Sequence, residues 1–280
     1  MGLTETLAEY FEVEAHGSDV RTELLAGLTT FLTMSYIVVV NPAILSAAIS
    51  VEGVGTARLK AMLAVVTIIS AATATLVMAL YANRPFAQAP GLGLNAFFAF
   101  TVVLTLGVPW QTALAAVVVE GLLFIGLTAV GAREYVIKLF PEPVKLAVGS
   151  GIGLFLAIIG FQAMRVVAGD PVTFVTFSPV FAKDPVALLS VAGLFLTFGL
   201  YARGVKGSVI IGILTTTALG YVAAALGYTA FPAEDAGANI VASTLTGSTT
   251  TYSLAAYDIT PLAGAFIDGF ANVDAFTFSL

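Results

Sequence analysis

Long apolar runs separated by short polar stretches dominate the chain. Six of them are within the ~17–25 residues that a helix needs to cross the hydrocarbon core of a bilayer, at 24–45, 61–82, 112–130, 146–164, 185–201 and 209–226. A seventh run, at 83–106, is equally apolar but is broken near its start. The pattern predicts an all-α polytopic membrane protein with seven membrane segments.

The third segment differs from the others in its Pro and Gly residues, since Pro85, Pro90, Gly91 and Gly93 interrupt it. A helix over residues 93–106 has 14 residues, which gives a length of roughly 21 Å against a core of about 30 Å. A short membrane helix that follows a Pro/Gly break and carries an amide side chain, here Asn95, is typical of a transporter binding site.

Polar stretches divide the rest of the chain. Residues 1–23 are acidic and are interpreted as a cytoplasmic or interfacial segment, and residues 227–261 as an extracellular loop. Residues 262–280 turn apolar again and are expected to begin an eighth segment. Lys and Arg favour the cytoplasmic side of membrane proteins. A cytoplasmic N-terminus places seven of them inside and four outside, so we expect a multi-pass protein of the cell membrane with its N-terminus in the cytoplasm.

Composition supports a lipid environment and excludes several functions. Charged residues make up 10% of the chain and the mean hydropathy is +1.00, whereas soluble domains carry about 25% charged residues. The net charge of −6 argues against nucleic acid as a partner, and the absence of cysteine excludes thiolate metal sites. Because the chain has no zinc-protease, serine-hydrolase or Walker motif, we expect no enzyme activity, no metal and no cofactor.

Two polar groups inside apolar segments are candidates for function. Asn95 offers a donor and an acceptor together, which match a purine edge, and Phe97 and Phe98 offer rings for stacking. The alternative is a helix-capping Asn with ordinary core aromatics. Glu120 lies near the middle of the fourth segment, where a carboxylate costs about 2.5–3.5 kcal/mol unless it is paired, protonated or hydrated. It is either a proton-coupling group or a structural acid bonded to Thr29, Thr30 or Thr33.

Three stretches resemble a known family. They are VRTELLAGLTTFLTMSY at 20–36 with Asn41-Pro42, APGLGLNAFF at 89–98, and residues 149–160. They are similar to the AzgA-like branch of the xanthine/uracil permeases, which are purine nucleobase–cation symporters of the second type. The resemblance runs over essentially the whole chain.

The resemblance implies fourteen segments arranged as two inverted repeats of seven. Residues 24–130 correspond to segments 1–4 of a core domain and residues 131–226 to segments 5–7 of a gate domain. The third segment is expected to be a short strand at 86–89 followed by a half-helix from Gly93. The family uses the Asn of its Gly-Leu-Gly-Leu-Asn motif to bind purine. That role maps onto Asn95, with Gly93, Leu94, Phe97 and Phe98 beside it.

The expected function is proton-coupled import of purine nucleobases such as hypoxanthine, guanine or adenine. Carboxylates that the family uses lie on segments eight and ten, so we expect a missing C-terminal half to supply them. A homodimer of such chains is an alternative, although the apolar C-terminus argues against it. Two other functions stay open, namely an anion carrier of the related sulfate-permease architecture and a non-transporting seven-helix membrane protein.

Overall fold

The computed structural model describes residues 8–15, 17–170, 173–179, 181–225 and 257–271, and these residues are mostly helical. Residues 1–7, most of the predicted loop at 227–261 and residues 272–280 lie outside the described part. The helices are α1 (Val20–Met34), α2 (Ile37–Leu45), α3 (Thr56–Ala82), α4 (Leu92–Thr105), α5 (Trp110–Ala129), α6 (Ala132–Leu139), α7 (Glu142–Ala163), α8 (Pro185–Ala202), α9 (Ser208–Ala225) and α10 (Ala265–Ala271).

Five apolar stretches in the described residues are long enough to cross a membrane. They are α1 together with α2, then α3, α5, α7 and α8. Large apolar side chains such as Leu122, Leu123 and Ile125 are exposed on successive positions of α5. A helix that is apolar on all sides needs lipid or protein around it, and the prediction of a polytopic membrane protein is therefore confirmed. Two shorter apolar helices, α4 and α9, occupy the positions of the predicted third and seventh segments.

The first membrane segment is two helices rather than one. Asp19 caps α1 by accepting a hydrogen bond from the Thr22 amide at 2.9 Å. This bond and a second one from the Thr22 hydroxyl lower the pKa of the Asp19 carboxyl. Within α1, the hydroxyls of Thr29 and Thr33 donate to carbonyls four residues earlier, which bends helices. The helix stops at Met34, and α2 starts at Ile37 after a two-residue turn.

The third segment has the predicted short helix but lacks the expected strand. Residues 83–91 have no regular secondary structure. A strand requires a paired neighbour, and the described residues place none beside 86–89. Instead, the Thr75 hydroxyl accepts a hydrogen bond from the Gln88 amide at 2.9 Å and holds this stretch against α3. The expectation of a strand at 86–89 was therefore wrong for the described structure.

The short helix α4 changes type along its length. Leu92–Ala96 is α-helical, and Phe97–Thr105 is π-helical. The Leu106 amide donates to the Thr101 carbonyl, and the Thr105 hydroxyl donates to the Phe100 carbonyl, so both bonds reach back five residues. Long π-helices are rare, and π-helical turns occur frequently at functional sites.

A β-hairpin separates α7 from α8. Strand β1 (Val167–Asp170) pairs antiparallel with β2 (Phe174–Phe177). Arg165 and Asp184, at the two ends of this connection, form an ion pair at 3.2 Å. Asp184 also caps α8 by accepting from the Val186 amide. The sequence pattern shows only a polar stretch between the apolar runs at 146–164 and 185–201, and the hairpin was not predicted.

The described residues form two compact units. The first draws on residues within 1–36, 71–89 and 157–251, and contains α1, the hairpin, α8 and α9. The second draws on residues within 37–70, 90–156 and 252–280, and contains α2, α4, α5, α6 and α10. Inside the second unit, α10 packs against α5, where Gly269 lies against the backbone of Gln111.

Candidate functional site

Three polar side chains meet in the interior of the second unit. They are Asn41 on α2, Thr67 on α3 and Asn95 on α4. Asn41 and Thr67 are each only 2% exposed, whereas Asn95 is partly buried. Buried polar groups are unfavourable unless they are hydrogen-bonded, so the bonds among these side chains determine whether the cluster is stable.

These side chains are linked by a series of hydrogen bonds in which each side chain donates to the next. Asn95 Nδ2 donates to Asn41 Oδ1 at 2.6 Å, and Asn41 Nδ2 donates to Thr67 Oγ1 at 3.0 Å. The Thr67 hydroxyl then donates to the Leu63 carbonyl, one turn earlier on α3, at 2.7 Å. The cluster therefore ends on the backbone of a long helix, which holds it in place.

Asn95 keeps part of its hydrogen-bonding capacity. An Asn side chain has two N–H donors and a carbonyl acceptor, and the bond to Asn41 uses one donor. Within the described residues, no further hydrogen bond reaches the Asn95 side chain. A partly buried amide with an available acceptor and donor is able to bind a polar planar molecule.

The residues predicted beside Asn95 point in different directions. Leu94 is 68% exposed and Phe97 is 51% exposed, so both are accessible in the described structure. Phe98 is only 8% exposed and belongs to the packed interior. Gly93 lies against Ile152 of α7, and a Cβ atom built on it would be 2.5 Å from Ile152 Cγ2. Of the two aromatic candidates, Phe97 has a ring face available.

Glu120 is exposed on α5, and no described residue hydrogen-bonds to it. Thr29, Thr30 and Thr33, which were the suggested structural partners, donate their hydroxyl hydrogens to carbonyls of their own helix. The described structure therefore supplies no structural partner for this carboxylate.

The cluster contains two residues whose role the sequence did not indicate. Asn41 is part of the Asn41-Pro42 pair that contributes to the family resemblance, yet nothing in the order of apolar and polar residues linked it to Asn95. Thr67 stands alone in the apolar run AVVTIIS, and a single Thr in such a run is common because it bonds to its own helix. Only the folded arrangement of α2, α3 and α4 shows that they belong together.

A separate cavity of about 290 Å³ lies in the first unit. Its lining comes from the N-terminal stretch and the end of α3, and it is mostly apolar: Ala8, Phe11, Val13, Val20, Glu23, Leu24, Ala79, Asn83, Arg84 and Pro85. The Asn83 side chain already donates to the Phe11 carbonyl at 3.1 Å. The cavity contains none of the predicted site residues.

Comparison with known proteins identifies the family. The permease-family model Xan_ur_permease matches residues 21–251, which is most of the chain. The chain belongs to the xanthine/uracil permease family. The chain is 42% identical over 224 residues to a putative permease of Methanocaldococcus jannaschii, a match that covers 80% of the chain and 48% of the relative.

Two further relatives have names that state a substrate. The chain is 38% identical to the adenine permease AdeP of Escherichia coli, over 77% of the chain and 46% of AdeP. It is also 38% identical to the guanine/hypoxanthine permease PbuG of Bacillus subtilis, over 76% of the chain and 48% of PbuG. The chain thus resembles AzgA-like nucleobase permeases, and it spans about half the length of the curated relatives it matches.

Proposed function

We propose that this chain is the N-terminal half of a proton-coupled permease that imports purine nucleobases such as hypoxanthine, guanine or adenine. The observation that carries the proposal is the position of Asn95. It lies at the start of a short, Pro/Gly-interrupted helix, and its amide is held by a buried hydrogen-bond chain. The names of the adenine and guanine/hypoxanthine relatives support a purine substrate.

In this proposal, Asn95 binds the edge of the base through its carbonyl oxygen and its remaining N–H. Phe97 offers an accessible ring for stacking, and the backbone at Gly93 and Leu94 completes this side of the site. The first turn of α4 adds amide N–H groups with partial positive charge. Phe98 supports the site from the packed interior.

Transport would follow alternating access, in which the core segments move against the gate segments. The other inverted repeat would supply the opposite side of the purine site and the carboxylates expected on segments eight and ten. Glu120 is the coupling carboxylate that this chain offers, because it lies within an apolar helix with no described partner.

The test of function is uptake by cells that lack their own purine transport. The complete transporter that contains this chain is expected to accumulate labelled hypoxanthine, guanine or adenine. Collapse of the proton gradient should abolish accumulation, and labelled sulfate should not enter. Uptake of sulfate but not purine would favour the anion-carrier alternative. Uptake by the 280-residue chain alone would favour a homodimer of half-transporters.

Substitution of Glu120 tests its role in proton coupling. Glu120→Gln keeps the size of the side chain but removes its titration, so the pH dependence of purine uptake should flatten and accumulation should fall by about tenfold or more. Glu142→Gln, in the first turn of α7, serves as a control that keeps the wild-type profile. If Glu120→Gln shows the same pH dependence as the wild type, Glu120 is not the coupling group.

A further inference from the structure

We infer that Thr67 and Asn41 are positioning residues that determine which end of the Asn95 amide faces the substrate. They thereby select purines that carry an N–H donor on the edge of the six-membered ring. The inference rests on the proposed function, because it concerns how the same site discriminates among purines. The observation behind it is the direction of the hydrogen bonds, that is, which atoms donate and which accept from Asn95 through Asn41 to Thr67.

The Thr67 hydroxyl determines which atoms of the cluster donate and which accept. A hydroxyl has one hydrogen to donate and two lone pairs that accept. The Thr67 hydrogen is used by the Leu63 carbonyl at 2.7 Å. Thr67 Oγ1 therefore has only lone pairs for Asn41, and Asn41 must present its amino group to it, as the 3.0 Å bond from Nδ2 shows.

The orientation of the Asn41 amide in turn determines the orientation of the Asn95 amide. Since the Asn41 amino group faces Thr67, its carbonyl oxygen faces Asn95 and requires a donor there. Asn95 supplies that donor through Nδ2 at 2.6 Å. A reversed Asn95 amide would place two carbonyl oxygens against each other, with no hydrogen between them. If Asn41 also reversed, its oxygen would face the lone pairs of Thr67 Oγ1, because the Thr67 hydrogen is already donated to the Leu63 carbonyl.

The consequence for the ligand is a preference in hydrogen-bond type. With one N–H turned to Asn41, Asn95 keeps its carbonyl oxygen and its second N–H unused within the described residues, so that it presents an acceptor beside a donor. An acceptor at this position favours a base with a ring N–H or an exocyclic amine on that edge, which hypoxanthine and adenine carry. Unsubstituted purine can accept the second N–H of Asn95 at its ring nitrogen but has no donor for the carbonyl oxygen, so it forms one hydrogen bond instead of two and should bind more weakly.

The test compares adenine with unsubstituted purine as competitors of labelled hypoxanthine uptake by the complete transporter. The wild type should prefer adenine by about tenfold or more, which equals about 1.4 kcal/mol. Thr67→Val keeps the shape of the side chain but removes the hydroxyl. Asn41 and Asn95 are then free to reverse, and the preference should fall to about threefold or less. Thr67→Ser should keep the wild-type ratio.

A ratio of two affinities distinguishes positioning from stability. Loss of folded protein lowers uptake but leaves the ratio unchanged, and Thr67→Ala provides a second, smaller variant should the valine reduce expression. Thr73→Val, at an exposed position on the same helix, is the matched control. An unchanged preference in both Thr67→Val and Thr67→Ala would overturn the inference while the proposed function stands. A wild type that takes up no purine would overturn both.

Discussion

At the residue scale, the buried pair Asn41 and Thr67 sets the environment of Asn95. An unsatisfied buried amide would cost about 1–3 kcal/mol, and here each member of the chain has a partner, with the last bond ending on the Leu63 carbonyl. The hydrogen bonds that run from Asn95 through Asn41 and Thr67 to the Leu63 carbonyl favour one arrangement of these side chains and leave the outer groups of the Asn95 amide unused. The amide of Asn95 is thus held in position before any ligand arrives.

Gly93 permits the close approach of α4 to α7. A Cβ atom at this position would be 2.5 Å from Ile152 Cγ2, and a β-branched side chain has little rotamer freedom to move away. We expect Gly93→Ala to lower the free energy of unfolding by about 1–3 kcal/mol. Thermal unfolding in detergent measures the change.

Two further variants make this test specific. Ile152→Ala removes the clashing methyl group, so the double variant should recover much of the loss, which is a coupling between neighbouring sites. Gly149→Ala is the control, since a Cβ there meets no atom within 4 Å. Equal effects of Gly93→Ala and Gly149→Ala would contradict the assigned contact.

The short helix that carries Asn95 was predictable from the sequence, but the hydrogen-bond partners of Asn95 were not. Pro85, Pro90, Gly91 and Gly93 predicted a short helix at 93–106, and α4 spans Leu92–Thr105, because Pro and Gly disrupt helices locally. The link from Asn95 to Asn41 and Thr67 depends on tertiary packing across separations of 54 and 26 residues, which no local pattern encodes.

At the element scale, two features of the structure were not predicted, and one predicted strand is absent from the described residues. The π-helical part of α4 depends on carbonyls pairing five residues ahead, and its apolar sequence FFAFTVVLT would suit an α-helix equally well. The hairpin of β1 and β2 consists of two strands of four residues each, too short for a clear alternation. The expected strand at 86–89 followed from a family resemblance rather than from a pairing partner in the chain.

Helices α8 and α9 pack through reciprocal Gly–Thr contacts. Gly193 of α8 lies against Thr216 of α9, and Gly212 of α9 lies against Thr197 of α8. Each Thr hydroxyl also donates to a carbonyl of its own helix, Thr197 to Gly193 and Thr216 to Gly212. Small residues allow membrane helices to approach closely where hydrophobic burial gives no net attraction.

Replacing one of these glycines with a larger residue should therefore push helices α8 and α9 apart. We expect Gly193→Val to destabilise the protein by about 1–3 kcal/mol, because the added methyl groups overlap Thr216. Gly199→Val on the same helix is the matched control, since its Cβ position meets no atom within 4 Å. Urea unfolding in detergent compares the two, and equal midpoints would contradict close packing at Gly193.

At the scale of the whole molecule, the proposed topology has a cytoplasmic N-terminus. The chain contains no cysteine, so single cysteines can be introduced without a background. Glu52→Cys, between α2 and α3, should react with a membrane-impermeant maleimide in intact cells. Val205→Cys, between α8 and α9, should react only after permeabilisation, and the reverse pattern would contradict the orientation.

In the proposed site, Asn95 contacts the transported purine. The most direct measurement is the KM for labelled hypoxanthine uptake by the complete transporter carrying Asn95→Ala, normalised to the amount of protein in the membrane. Loss of this contact should raise KM by about tenfold or more, while Thr101→Ala on the same helix should leave it unchanged. A wild-type KM in Asn95→Ala would show that Asn95 does not contact the transported purine.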